Sequence, residues 1–315
     1  MLIHHYFRRV LGQGAFGMVY LGTADSIDGR SGEITVAIKQ LKHNADEEER
    51  KEFLIEIDMM KRIGHHPNIV EMYGCCTIQC PSCMVMEYVP YGDLQRYLQN
   101  VRKEMTYSLD PLELQNFALQ VAGGMSHLES LGITHRDLAA RNILVGHGKC
   151  LKISDFGLSR TGVYVKTTSG RIPLRWLSIE AIRDHVYSTA SDVWAYGVVL
   201  WEICTLGGFP YSHIDDKDML RYLLAGYRLE KPPPCSDVIY DLMARCWNYD
   251  PCQRPSFVQI YQELVDLSKG NNLYVEFDDD VNTTLPPGTY CRLAPDSKID
   301  SIYCMCCNQR AVSSV

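Results

Sequence analysis

Two carboxylates and a carboxamide stand where a short hairpin could gather them. Asp137 and Asn142 precede the apolar run Ile143-Leu144-Val145, and Asp155 follows the run Leu151-Lys152-Ile153. Between the runs lies a turn, Gly146-His147-Gly148, so the pattern predicts two antiparallel strands. Such a hairpin would bring the three groups to one edge. Hard oxygen ligands collected in this way suit magnesium in company with phosphate. His135-Arg136-Asp137 and Asp155-Phe156-Gly157 would each, taken alone, be ordinary turn tripeptides; here they occur together, about 18 residues apart.

Elements able to hold phosphate come earlier in the chain. Gly12, Gly14 and Gly17 have G-x-G-x-x-G spacing. Dinucleotide-binding folds use this spacing too, with a helix after it. Met18-Val19-Tyr20-Leu21-Gly22 follows instead and reads as a strand, which places the glycines in a strand-turn-strand flap whose backbone can close over phosphates. The next β pattern, Ile34 to Lys39, ends on a lysine. Residues 44–63 read as a helix, with Asn44 and Glu47 as a capping box and the acids from Asp46 to Glu49 complementing the dipole. Phe53, Ile57, Met60 and Ile63 form its apolar stripe. Glu56 stands at the margin of that stripe, where an acid needs a partner, and Lys39 is the natural one.

Two more strands are expected over Ile69–Thr77 and Met84–Tyr88, and Glu87 to Gly92 reads as a hinge. Helices are expected over Leu94–Val101, Leu112–Leu131, Ser191–Cys204 and Phe257–Leu267. The polar stretch from Leu158 to Leu177 is long for a connection between anchored ends, which marks a functional segment. Tyr164 is the only tyrosine between Asp155 and Glu180 and is read as a switch. Phosphorylation there would add about -1.5 to -2 charges. Arg136 is the expected partner, with Arg160 or Arg171 joining, and such pairs can order a loop and couple it to the helix of Glu56. From Lys269 onward the polar composition predicts a flexible tail, 269–315.

Composition sets the frame. With 315 residues, 46% hydrophobic and 22% charged, the chain can build about two lobes with an ample core. A net charge of -7 argues against nucleic acid as the main partner. The opening residues lack the apolar segment of a secretory signal, and the longest apolar run, Val193 to Trp201, is far short of the ~20 residues needed to span a bilayer. The 13 cysteines include the groups Cys76/Cys80/Cys83 and Cys304/Cys306/Cys307, neither a clear set of four zinc ligands. A reducing, cytoplasmic location fits, with membrane association if the chain belongs to a longer, membrane-anchored protein.

Residues from about 7 to 268 resemble a protein kinase catalytic domain, and more narrowly a tyrosine kinase of receptor type. The catalytic stretch has Ala139 where serine/threonine kinases place a lysine, and Arg141 follows; Gly170 to Trp176 is similar to a tyrosine-kinase substrate loop. The resemblance implies an α+β, bilobal fold. It has a small β-rich lobe with one main helix (1–86), a hinge (87–92) and a larger helical lobe (93–268). It implies ATP and Mg2+ as cofactors. ATP would lie against Leu11, Gly12, Gln13, Gly14, Ala15, Phe16, Gly17, Val19, Ala37, Lys39 and Leu144. Adenine would bond the Glu87 carbonyl and Val89 amide, with Met86 behind it and Asp93 near the ribose. Asp137 would accept the tyrosine proton, Asn142 and Asp155 would hold magnesium, and Lys39, held by Glu56, would position phosphates. Arg141 would neutralise charge near the γ-phosphate. Glu180 would pair with Arg254, and Asp192 would be structural. Ser178-Ile179-Glu180 departs from the usual Ala-Pro-Glu, and Ala195 replaces a common Ser or Thr.

The implied activity is phosphorylation of protein tyrosines, regulated by the segment of Tyr164. Expected partners are tyrosine-bearing protein substrates and phosphotyrosine-binding adaptors docking at Tyr274, Tyr290 and Tyr303, with dimerisation if the chain is part of a receptor. The alternative is a kinase-shaped scaffold with little turnover, since fold alone does not decide activity.

Overall fold

The computed structural model describes residues 9–13, 17–25, 32–78, 81–104, 111–165, 173–233 and 235–269. In the first lobe, strands β1 (Arg9–Gln13), β2 (Gly17–Asp25) and β3 (Glu33–Leu41) precede helix α1 (Glu47–Ile63), and β4 (Met72–Cys76) and β5 (Cys83–Glu87) follow it. They form one antiparallel sheet in the order β1-β2-β3-β5-β4. Alternation along β3 sorts its side chains. Val36 and Ile38 pack with Ala24, Cys83 and Val85, whereas Ala37 and Lys39 line the cleft beneath.

Element ends shift from the sequence reading at several places, and two of the differences have a clear local cause. The strand carrying Lys39 runs on to Leu41, so the lysine is interior and only 5% exposed rather than a strand end. The cap of α1 is Asp46 with Glu49, not Asn44 with Glu47. Asp46 is extended and its carboxylate accepts from Glu49 N at 2.8 Å, while Glu49 accepts from Asp46 N at 3.2 Å. Both pairs have the required spacing; the backbone turns helical only after Asp46.

The second lobe contains α2 (Leu94–Lys103), α3 (Pro111–Ser130), β6 (Ile133–Thr134), β7 (Ile143–Val145), β8 (Leu151–Ile153), β9 (Arg160–Thr161), β10 (Tyr164–Val165), α4 (Ile179–Arg183), β11 (Val186–Tyr187), α5 (Thr189–Cys204), α6 (Met219–Leu224), α7 (Asp237–Cys246) and α8 (Phe257–Lys269). Helix α5 is buried on nearly every side, as a helix apolar all round must be. Among the described residues no helix is long and apolar enough to cross a membrane.

The predicted hairpin is β7–β8, in the register Ile143↔Ile153 to Val145↔Leu151. It is stitched to the hinge and to the first lobe. Tyr91 N donates to Val145 O at 3.1 Å and Val145 N to Gly92 O at 2.9 Å, while Val70 N donates to Ile153 O at 2.9 Å. The described part of the polar stretch after Asp155 contains two short strands. β9 pairs with β6, and β10 pairs with β11 so that Tyr164 stands opposite Tyr187.

Candidate active site

A cleft of about 420 Å³ lies between the sheet and the hairpin, within the size range of small-molecule sites. Leu11, Val19, Ala37, Met86, Val89 and Leu144 give it apolar walls, and Gly12 borders it. Lys39, Glu56, Glu87, Asp93, Arg141, Asn142 and Asp155 supply its polar groups. Gly14, Ala15 and Phe16 lie outside the described residues, as does the Gln13 side chain. Gly17 is not brought to the cleft; it packs on β3, where an added Cβ would meet the Gln40 carbonyl oxygen at 2.1 Å. Asp93 borders the cleft, but its carboxylate also caps α2 by accepting from Arg96 N at 2.8 Å. The Glu87 side chain turns to Lys152, 2.8 Å away, which leaves the Glu87 backbone as its contribution to the wall.

Lys39 Nζ donates to Glu56 Oε1 at 2.5 Å and stands 3.8 Å from Asp155 Oδ1. Burial works against the Lys39 ammonium, yet Glu56 and Asp155 outweigh it and hold its pKa above the ordinary lysine value. Glu56 is therefore not at a margin. It is 3% exposed, and its Oε2 has no hydrogen-bond partner among the described residues. Asp155 has φ 63°, a left-handed conformation rare outside glycine, and its side chain is 49% exposed towards the cleft. The ring of Phe156 is buried beside His135, with centroids 5.1 Å apart.

Asp137 stands just beyond the cleft lining, bonded to two residues that form it. Arg141 Nη2 donates to its Oδ1 at 2.5 Å, and Asn142 Nδ2 donates to its Oδ2 at 2.8 Å and its carbonyl at 2.7 Å. Burial pushes the Asp137 pKa up, with Arg141, His135 and Asn142 opposing it. The backbone leading into Asp137 is fixed from below. Asp192 Oδ2 accepts from His135 N at 2.6 Å and Oδ1 from Arg136 N at 2.9 Å. This holds Arg136 at φ 72°. Burial raises the Asp192 pKa to about 7.

A magnesium–nucleotide group fits these donors. Asp155 offers a half-exposed carboxylate. Asn142, whose Nδ2 is committed to Asp137, has Oδ1 left as a ligand. Among the described residues no cluster of three or more His, Cys, Asp or Glu could hold a metal alone. Magnesium suits such a sparse set because it is bound by one or two protein oxygens together with phosphates and water.

Arg136 and Arg160, expected near the tyrosine of the polar segment, have other contacts here. Arg136 donates to Leu158 O at 2.8 Å and its guanidinium lies 4.4 Å from the ring centroid of Tyr187. Arg160 bonds Glu52 on α1, and Arg62 of the same helix donates to Thr161 Oγ1 at 2.7 Å. Arg171 lies outside the described residues. Glu180 and Arg254 meet through two bonds of 2.7 and 2.9 Å. Ile179 is buried at the first position of α4, a place that suits proline but does not require it.

Sequence reasoning missed Glu202. This acid of α5 is fully buried, and burial raises its pKa to about 7. It accepts from Ala140 N and from the Trp176 indole, each at 2.9 Å. An acid inside the apolar run Val198–Ile203 was the available signal, because a buried charge needs partners.

Residues 6–264 match the family model described as protein tyrosine and serine/threonine kinase. The chain is similar to the tyrosine kinase receptor Cad96Ca of Drosophila melanogaster, 42% identical over 284 residues, or 86% of this chain and 37% of that receptor. It is 42% identical over 265 residues to a fibroblast growth factor receptor of Hydra vulgaris, covering 81% of this chain and 32% of that protein. It is 38% identical over 341 residues to the tyrosine-protein kinase receptor torso of Bombyx mori, covering 92% and 42%. The chain thus spans roughly a third to two-fifths of these relatives' lengths.

Proposed function

Because the chain belongs to the protein tyrosine and serine/threonine kinase family, we propose that it transfers the γ-phosphoryl group of ATP to tyrosine hydroxyls of proteins, as the kinase region of a receptor-type signalling protein. The observation that carries this reading is one arrangement of three groups. The Lys39–Glu56 pair, the Asp155 carboxylate and the Asp137–Arg141–Asn142 cluster all converge on one cleft. A scaffold would not require a buried lysine, a buried acid and a left-handed aspartate to be kept together.

The family uses ATP and magnesium in general; when bound, they supply the phosphoryl group and neutralise its charge. Lys39 would hold the α- and β-phosphates, with Glu56 fixing where the ammonium points. Asp155 and Asn142 would provide the metal ligands. Asp137 orients the substrate hydroxyl and takes its proton on Oδ2, the oxygen that Arg141 does not contact. Asn142 Nδ2 donates to that oxygen at 2.8 Å, which leaves it a second lone pair for the hydroxyl, and Arg141 adds positive charge beside the transferring group. Positioning and electrostatics account for most of the rate, as expected for phosphoryl transfer. Tyrosine as acceptor is supported by Ala139, by Arg141 with Trp176 beside it, and by the relatives named as tyrosine kinase receptors.

Magnesium-dependent transfer from ATP to a poly-Glu/Tyr substrate, read with a phosphotyrosine antibody, tests the proposal. Asp137→Asn is expected to fold, bind ATP and lose about 10²- to 10⁴-fold in rate, and Lys39→Met to lose turnover. Full activity in either variant overturns the assignment. The adaptor sites Tyr274, Tyr290 and Tyr303 lie outside the described residues. Mass spectrometry after autophosphorylation tests them, and all three unmodified would remove the idea.

A further inference from the structure

We propose that Glu202 is a positioning residue for phosphoryl transfer, clamping the substrate-loop tryptophan Trp176 to the catalytic loop so that Arg141 and Asp137 stay aligned. The inference rests on the kinase reading above and extends it to a residue that touches neither cleft nor substrate.

The contacts form a closed circuit. Asp137 Oδ1 accepts from Arg141. The Arg141 guanidinium lies over the Trp176 ring, 4.3 Å from its centroid. The Trp176 indole N–H donates to Glu202 Oε2 at 2.9 Å. The same oxygen accepts from Ala140 N at 2.9 Å, three residues after Asp137. Glu202 Oε1 is reached from α2 by Gln95 Nε2 at 3.4 Å. The charged groups facing this carboxylate are Arg141, favourable, and Asp93, unfavourable.

A role in packing alone does not account for the residue. The surroundings of Glu202 on α5 are apolar, and a leucine would fill that space without the desolvation of a carboxylate. What a leucine cannot do is accept two N–H groups from two different loops. Asp192 supplies a matching hold. It sits ten positions earlier on the same helix and takes the two amides just before Asp137, whereas Glu202 takes one just after. The loop bearing Asp137 is gripped on both sides by one rigid element. Trp176 extends this grip to the surface that meets the acceptor peptide. Its ring stands 6.1 Å, edge to face, from Phe209, which is 53% exposed.

The test uses the full chain and four forms, the wild type, Glu202→Leu, Glu202→Gln and Trp176→Phe, with the double variant Glu202→Leu/Trp176→Phe. Steady-state kinetics are measured against a tyrosine peptide and against ATP. Glu202→Leu and Trp176→Phe should each lower kcat/KM for the peptide by about 10- to 100-fold, the range for losing a hydrogen bond to a charged group. KM for ATP should change by less than about twofold, since the Lys39 side of the cleft is untouched. The double variant should be no worse than the poorer single variant, because both cut one circuit. Glu202→Gln retains an acceptor oxygen and should recover activity to within a few-fold of wild type. Multiplicative losses, wild-type kinetics in Glu202→Leu, an equal loss in Glu202→Gln or a parallel collapse of ATP binding would each overturn the inference. If Glu202→Leu does not fold, Trp176→Phe decides alone by the same criterion. An inactive wild type would instead overturn the kinase reading, and the inference with it.

Discussion

Breaking the Glu180–Arg254 pair should destabilise the fold by an amount the structure bounds. The Arg254 side chain is fully buried and that of Glu180 is 13% exposed. Two parallel bonds of 2.7 and 2.9 Å join them. In Glu180→Ala the guanidinium would be left charged in the interior, and losing one partner of a buried pair costs about 3–5 kcal/mol. Three contacts soften that cost. Arg254 still donates to Ala190 O at 2.8 Å and Asn248 O at 2.9 Å, and lies 5.1 Å from the Trp194 ring centroid. The lower end, about 3 kcal/mol, is therefore expected. For a domain of this size that corresponds to a fall in Tm of about 6–12 °C. Thermal unfolding followed by circular dichroism at constant protein concentration measures it. Replacing both partners, as Glu180→Leu with Arg254→Met, should recover much of the loss, because no buried charge is then left alone. A fall below about 2 °C for Glu180→Ala would show that water or a rearranged loop compensates the arginine, and would refute the reasoning.

Burial holds the Asp137 pKa above 3.8, so the base should be lost at a higher pH than an ordinary aspartate. The pH profile of kcat/KM should fall on its acid side in that raised range, and a flat profile down to pH ~4 would contradict it. Tyr164→Phe should stay slow after pre-incubation with ATP while wild type accelerates; equal activation of both would remove Tyr164 as the switch. Glu202 is raised from 4.5 to about 7, so its stabilising contribution is present below 4.5 and lost as pH rises through about 7. Relative to wild type, Glu202→Gln should gain Tm from pH 5 to pH 8, the shift being worth about 3 kcal/mol, and a pH-independent difference would count against it.

The fold was legible where the signal is local. Strand rather than helix after Gly17 separated a flap from a dinucleotide fingerprint, and the structure shows β2 there. The hairpin of Ile143 to Ile153 follows from a turn between two apolar runs. Legibility failed where two local readings tie. Asn44/Glu47 and Asp46/Glu49 have equal spacing, and only the extended backbone at Asp46 chooses. It failed again at Lys39, because a period of two sorts faces without fixing where a strand stops.

The candidate site divides along the same line. Lys39, Asp137, Asn142 and Asp155 sit within short motifs and can be found by eye. Glu202 cannot, since its partners Gln95, Ala140 and Trp176 lie 107, 62 and 26 positions away. What the sequence does show is that helix α5 is too apolar to be anything but central, and that it carries acids at Asp192 and Glu202. A buried carboxylate is unfavourable unless donors reach it, so each acid on such a helix must be matched by N–H groups from another element. In this chain three of the donors come from the segment around Asp137, whose Leu138, Ala139 and Ala140 are themselves buried in the core that α5 forms. The helix that forms the core thus also sets the geometry of the catalytic loop. Acids inside the most apolar helix therefore point towards the site as surely as the catalytic motif does.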